Sequence, residues 1–310
     1  MSRTVLVTGA TGFVGGHLVA ALLADGHRVI AATRDAAKAA RRLGPRVQCV
    51  TTLAELPAHT PIDACVQLAG ARVLGPPWTR AQRETLLRSR AEPAAQLLAL
   101  MRRLQRPPAV LVVASAIGWY GRVDGAADAP CDETEPPRPG QFQSELCMAI
   151  ERDALRAEAL GVRVVRLRLG VVLGHDGGAY PPQALAARLG LGAVLGDGRQ
   201  PAPWVHVDDA VGLARLALAR EDLVGPMNVV APQTPSQAGF VRALAASYGR
   251  GVHLRVPASA LRLALGEMGD LLLAGRRVVP AVAARAGYGF AFPTLAGALA
   301  DLAARTRPRR

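Results

Sequence analysis

The chain predicts an α/β fold: a Rossmann-type doubly wound parallel sheet with a smaller, mostly helical C-terminal substrate lobe. Three observations predict it. Short β-rich runs alternate with helical stretches through the first half, the rhythm of βαβ units in a parallel sheet. A glycine-rich turn, Gly9-Ala10-Thr11-Gly12-Phe13-Val14-Gly15, falls between the first strand-like run and the first helical one, where such a sheet receives a dinucleotide. At 310 residues, 50% hydrophobic and 20% charged, the chain can bury a large core and is not a disordered polymer.

The elements follow in order. Thr4–Thr8 reads as a strand and Phe13–Ala24 as an apolar-periodic helix stopped at Gly26. Further strands are expected at Arg28–Thr33, Val47–Val50, Asp63–Leu68, Ala109–Ala114, Arg163–Leu167 and Met227–Val230, with long helices over Thr79–Gln105 and Phe142–Leu160. Beyond Arg168 the rhythm loosens: Gly170–Gly198 is rich in Gly and Pro, with a short helix at Pro182–Leu189. Helices follow at Asp208–Arg220, Pro235–Tyr248, Ser259–Glu267 and Thr294–Arg305. Thr234 reads as the N-cap of the second of these, with Pro235 at N1 and Gln237 at N3. Residues 1–168, rejoined by 203–232, are read as the dinucleotide-binding domain. Residues 169–202 and 233–305 are read as the substrate lobe, and 306–310 as a disordered tail.

Charge and cysteines narrow the class. A net charge of +13 invites a nucleic-acid reading, but Lys38 is the single lysine and the arginines are spread along the chain, clustering only in the tail Arg305–Arg310. A codon bias toward Arg gives the same picture, so nucleic acid is not the expected partner. Cys49, Cys65, Cys131 and Cys147 form no CxxC pair, which points to a reduced cytoplasmic protein without a disulfide scaffold or zinc ribbon. No apolar run reaches a membrane span, and the N-terminus alternates like a strand, unlike a signal peptide. Six scattered histidines offer no metal-ligand spacing, so no metal is expected.

The glycine turn assigns the cofactor site. Gly9, Gly12 and Gly15 suit a tight turn, close backbone approach to a pyrophosphate and close helix–strand packing, and Thr11, Phe13 and Val14 lie between them. The helix N-terminus offers free N–H groups to the phosphates. The end of the second strand selects the dinucleotide: NAD-preferring sites place an acid there, and here Thr33 and then Arg34 occupy it. A hydroxyl and a guanidinium suit a 2′-phosphate, so NADP(H) is the expected cofactor. Asp35 comes one or two positions late and could cap the next helix; a solvated surface arginine is the competing reading of Arg34.

Several segments together resemble the extended short-chain dehydrogenase/reductase superfamily. They are Thr8–Gly15, Leu68-Ala69-Gly70, Trp119-Tyr120-Gly121 and Pro203–Asp209. The closer match is its atypical branch, the YfcH-like epimerase/dehydratase proteins, through Pro77-Trp78-Thr79, Ser89-Arg90, Ser115–Gly121, Arg166–Gly178, Gly190–Asp209 and Leu265–Met268. The resemblance covers nearly the whole chain and implies a Rossmann core, bound NADP(H) and a small C-terminal lobe. Leu68, Ala69, Gly70, Ser115, Leu169 and Val171 are the cofactor-bordering positions it adds. It also allows a homodimer through the helices Arg83–Leu104 and Phe142–Leu160, whose apolar faces could equally pack within one chain.

One departure matters. The superfamily's proton relay is a Tyr and a Lys four residues later, on one helix face. Setting Glu151 on that helix's later glutamate puts Gln143 at the Tyr and Cys147 at the Lys, and neither can replace it chemically. The upstream Ser position falls on Ala116, with Ser115 beside it, and Arg90 stands where extended members usually have Asn. The catalytic candidates are therefore Tyr120, Ser115 and Arg90. Tyr120 could be the proton donor or a packed phenol. Arg90 could meet a substrate anion, a backbone carbonyl or a structural acid. Cys147 reads as a buried inert thiol, and His206 and Asp208 as a hinge constellation, with Asp208 suited to an N-cap. Trp78 and Trp119 read equally as pocket walls and as core. The expected activity is NADP(H)-dependent hydride transfer to or from a small carbonyl or imine compound lying against the loops Val171–Gly198. The alternatives are a sugar-nucleotide-type epimerase and a non-catalytic NADP(H)-binding sensor or scaffold.

Overall fold

The computed structural model describes residues 2–122 and 129–306. The first half runs β1 (Thr4–Thr8), α1 (Phe13–Ala24), β2 (Arg28–Ala32), α2 (Ala36–Leu43), β3 (Val47–Val50), β4 (Ala64–Gln67), α3 (Arg80–Arg103) and β5 (Val110–Ala116). After β6 (Pro130–Cys131), α4 (Phe142–Leu155) leads into β7 (Arg163–Leu169), and then come β8 (Val171–Gly174), β9 (Gly177–Gly178), α5 (Tyr180–Arg188) and β10 (Ala193–Leu195). The last third runs β11 (Trp204–His206), α6 (Val207–Ala219), β12 (Gly225–Val229), α7 (Gln237–Ala246), β13 (Leu254–Val256), α8 (Ala258–Leu265), α9 (Asp270–Leu273), β14 (Arg277–Val278), α10 (Ala281–Arg285) and α11 (Leu295–Thr306). Of the expected disordered tail, Thr306 closes α11, and the other four residues lie outside the described ones.

Seven parallel strands form the central sheet in the order β12-β7-β5-β4-β1-β2-β3. The order of strand addition reverses between β1 and β4, the switch point at which an open α/β sheet leaves a crevice beyond its carboxyl ends. Every residue of β1 is buried, as both-faced covering of a parallel sheet requires. Leu18, Val19 and Leu22 of α1 and Ala210, Leu213 and Ala217 of α6 cover one face. Leu86, Leu97 and Met101 of α3 and Phe142, Leu146 and Ile150 of α4 cover the other. The sheet is doubly wound, as the alternating pattern predicts.

The rest of the chain builds around α5, α7 and α11, whose Tyr180, Phe240, Leu244, Leu295 and Leu299 share one cluster with Trp204. Short strand pairs, β10 with β13 and β8 with β9 and β11, stiffen it. One segment crosses back. Met268 is buried among the α3 and α4 side chains, and Glu267 reaches both the Phe142 N–H (3.1 Å) and the Arg83 guanidinium. The Glu267 carboxylate thus caps α4, whose own N-cap Gln141 makes no side-chain cap bond.

Several boundaries move. Ser236, not Thr234, caps α7 by accepting the Gly239 N–H at 3.1 Å. Gln237 is drawn off to β10 instead, accepting from Leu195 N and donating to the Ala193 carbonyl. The α6 N-cap is His206, whose Nδ1 accepts the Asp208 N–H at 3.1 Å. Asp208 sits in the first turn and pairs with Arg305. α4 stops at Leu155, with a separate 3₁₀ turn at Glu158–Leu160, and another 3₁₀ turn, Ile117–Tyr120, follows β5 directly.

Candidate active site

The strand register brings the candidate residues to one edge. Thr8 pairs with Ala32 and with Gln67, so β1, β2 and β4 end at one level, while Gln67 pairs with Val113 and β5 runs three residues beyond that level to Ala116. Gly9 follows with φ 71°, a left-handed value that a side chain would strain. A Cβ there would stand 2.7 Å from the Ala69 nitrogen, and one on Gly15 only 2.1 Å from the Gly9 carbonyl oxygen. The glycine turn and the Leu68–Gly70 loop therefore meet backbone to backbone. α1 starts at Phe13 with no side-chain cap, leaving the N–H groups of Phe13, Val14 and Gly15 without intrahelical acceptors. The Phe13 ring is engaged elsewhere, packed into the β8–β9 hairpin so tightly that a Cβ on Gly177 would lie 2.3 Å from it. Phe13 faces the turn through its backbone.

At the end of β2, Asp35 is spent on structure: its Oδ1 accepts the Lys38 N–H at 2.9 Å and caps α2. Arg34 is exposed and, among the described residues, makes no hydrogen bond or ion pair. Thr33 precedes both, its N–H donating to the Val50 carbonyl. Leu169 and Val171 leave the sheet at the end of β7, and Val171 is 42% exposed.

The catalytic candidates fare differently. Tyr120 is 0% exposed; its hydroxyl donates to Asn228 Oδ1 (2.7 Å) and accepts from Arg168 Nη1 (3.0 Å). Burial pushes its pKa well above the ordinary phenol value, and Arg168 only partly offsets that. Its hydroxyl is held inside the core, the arrangement of the packed phenol, which is the alternative to a proton donor. Ser115 is also buried, and its Oγ donates to Glu151 Oε1 at 2.9 Å, so it too is committed to structure.

Glu151 is the hub. Besides Ser115, it accepts from Arg166 Nη1 and twice from Arg168, at 2.9 and 3.1 Å. Arg168 also donates to the Glu133 carbonyl and lies 4.0 Å over the Trp119 ring. This cluster was not foreseen, although the alternation Arg166-Leu167-Arg168-Leu169 carries a signal. An arginine within a central parallel strand needs a buried counter-charge.

On α4 the face of Gln143 and Cys147 packs against the end of β5: a Cβ on Gly118 would stand 3.5 Å from Cys147 Sγ. That thiol donates to the Ala116 carbonyl, and burial pushes its pKa up to about 11, the inert state expected of it. Trp78 packs edge-on against Phe142 and donates to the Val73 carbonyl, while Trp119 donates to the Glu135 carbonyl. Trp78 belongs to the core. Among the described residues Arg90 pairs with no acid, and it donates to the Ala71 and Leu86 carbonyls and to Ser89 Oγ.

Residues 5–230 match the NAD dependent epimerase/dehydratase family. The chain belongs to that family. Residues 256–302, which include the Glu267 crossing, match a domain of unknown function, DUF1731. Relatives in the epimerase/dehydratase family match from end to end. Epimerase family protein YfhF of Bacillus subtilis (strain 168) is 33% identical over 301 residues, covering 97% of this chain and 98% of that one. Epimerase family protein SDR39U1 of Homo sapiens is 33% identical over 305 residues, covering 97% and 99%. The crystal structure of human SDR39U1 (isoform 2), solved with NADPH, superimposes with a TM-score of 0.84 at 31% identity, again over 97% and 99% of the two chains. The nucleoside-diphosphate sugar epimerase of Corynebacterium glutamicum superimposes with a TM-score of 0.77 at 26% identity, over 97% of this chain and 58% of that one.

Proposed function

We propose that this chain binds NADP(H) beyond the carboxyl ends of β1, β2, β4 and β5 and uses it in oxidoreduction of a small carbonyl or imine compound. The observation that carries the cofactor choice is the unpaired, exposed Arg34 at the end of β2, with Asp35 spent on capping α2. The human relative solved with NADPH supports the same choice. In this reading the N–H groups of Phe13, Val14 and Gly15 take the diphosphate. Thr33 and Arg34 take the 2′-phosphate. Leu68–Gly70, Ser115, Leu169 and Val171 border the nicotinamide half.

The bound cofactor supplies or accepts the hydride; the chain binds, orients and excludes water. Proton handling is where this site departs from the superfamily pattern. Gln143 does not titrate, the Cys147 thiol is held protonated by burial, and the Tyr120 hydroxyl is enclosed. Epimerisation through a transient ketone needs a group that takes and returns a proton. Hydride transfer to an already protonated imine needs none, so net reduction fits the observed groups better.

The test is NADPH consumption by the purified protein over a panel of carbonyl and imine compounds. Turnover of a panel member, with NADPH preferred to NADH, is the expected result. Tight NADPH binding without turnover across the panel would instead support a non-catalytic sensor or scaffold.

A further inference from the structure

Arg90 is the feature at the sheet edge that neither the fold nor the cofactor reading uses up. It projects from α3 between the ends of β4 and β5. On one side its guanidinium lies against exposed Gly70, where a Cβ would stand 2.9 Å from Cζ. On the other it is near enough to Cys147 to draw that thiol's pKa down against the effect of burial. Of its five N–H donors, Nη1 serves Leu86 and Ser89, and Nη2 serves Ala71 at 2.9 Å. Nε and Nη2 lie along one edge of the fork, and the Nε–H and one of the two Nη2–H have no acceptor among the described residues.

A half-buried guanidinium matched only by neutral acceptors is an incomplete arrangement, because its desolvation is not offset by any opposite charge. Glu151, the carboxylate near Cys147, is committed to Arg166 and Arg168. The phosphates of the proposed cofactor have their own donors, at the α1 N-terminus and at Arg34. Arg90 instead stands against the loop that follows β4, within electrostatic reach of Cys147, whose thiol donates to the Ala116 carbonyl at the end of β5. The free Nε/Nη2 edge is the geometry that takes two oxygens of a carboxylate or phosphate in parallel.

We propose that Arg90 is a substrate-binding residue, which takes an oxyanion (carboxylate or phosphate) that the substrate carries beside its reacting carbon. The proposal rests on the reading that Gly70 and Ser115 border the nicotinamide end of NADP(H), and it adds the class of substrate: anionic rather than neutral carbonyl or imine compounds.

The experiment uses the NADPH-loaded protein, with NADPH fluorescence as the readout and three probes: oxamate, inorganic phosphate, and oxamide as the uncharged counterpart of oxamate. The wild type should respond saturably to oxamate or phosphate and not to oxamide; the anion that saturates at the lower concentration identifies the carboxylate or phosphate source. Arg90→Gln should weaken that anion at least about tenfold, with NADPH affinity changed less than about threefold, the size expected for a lost charge-assisted bidentate contact. Arg90→Lys should recover part of the loss, since the charge returns without the fork. A wild type that binds neither anion better than oxamide overturns the proposal, and this arm stands even if a variant fails to fold. Equal losses of NADPH and anion affinity in Arg90→Gln also overturn it, placing the guanidinium on the cofactor. Absence of NADPH binding in the wild type would remove the cofactor reading itself, and the proposal with it.

Discussion

Replacing Glu151 with Gln removes the charge at the centre of the buried cluster while keeping its shape. Glu151 is 1% exposed and Arg168 2%. The carboxylate oxygens accept from Ser115, Arg166 and twice from Arg168. In the amide, one of those oxygens becomes an NH₂ group facing guanidinium donors, and Arg168 becomes a buried cation without its counter-charge. Breaking one side of such a pair costs about 3–5 kcal/mol. A chain of this length unfolds with an entropy of about 0.65 kcal/mol/K, so about 4 kcal/mol lowers Tm by about 6 °C. Thermal unfolding followed by circular dichroism at pH 7.5 reads it, with Tyr120→Phe in parallel. That variant leaves Asn228 Oδ1 without its donor and Arg168 Nη1 with one acceptor fewer, worth about 1–3 kcal/mol, or about 2–5 °C. Tyr120→Phe should keep its NADPH affinity and any turnover. A Glu151→Gln protein within about 1 °C of wild type would show that Glu151 is not the counter-charge of Arg168, because removing one partner of a buried ion pair is strongly destabilising.

Other outcomes follow from the same contacts. His206 is fully buried, and burial holds its pKa below the ordinary 6.5 although Asp208 and Asp301 pull the other way. The unfolded chain therefore takes up this proton first as pH falls. The stability contribution is fully present above pH 6.5 and is lost progressively below it. Between pH 7.5 and 5.5, His206→Asn, which keeps a cap acceptor for the Asp208 N–H, should lose less Tm than wild type. Glu267→Ala releases both Arg83 and the α4 N-terminus. Because that pair is about one-third exposed, global Tm should move little, while limited proteolysis within residues 258–274 should speed up; unchanged cleavage would show that Met268 packing alone holds the segment.

What was legible from the residues was what is local. Gly9, Gly12 and Gly15 state their job through spacing alone, because a turn between a strand and a helix leaves little else for three glycines to do. Asp35 as a cap and Cys147 as an inert thiol also emerged from near neighbours. Several of the readings that moved depend on partners distant in the chain. Tyr120 could be read as available on its loop, but Asn228, 108 residues later, accepts the hydrogen bond of its hydroxyl. Ser115 is engaged by Glu151, 36 residues on. The cap at Thr234 failed because β10, about 40 residues earlier in the chain, claims the Gln237 side chain through two hydrogen bonds. Arg168 could have been suspected from its place in an apolar strand, but only packing of α4 on the sheet identifies Glu151 as its partner.

Arg34, exposed and unpaired among the described residues at the end of β2, is the residue proposed to make this an NADP(H) site. The most direct measurement is a paired fluorescence titration of NADPH and NADH against wild type and Arg34→Ala. The wild type should prefer NADPH by about tenfold or more, and Arg34→Ala should erase most of that preference by weakening NADPH while leaving NADH nearly unchanged, since a charge-assisted contact to the 2′-phosphate is worth about 1.5–3 kcal/mol. Equal affinity of the wild type for both nucleotides, or an Arg34→Ala variant that keeps the preference, would contradict the account.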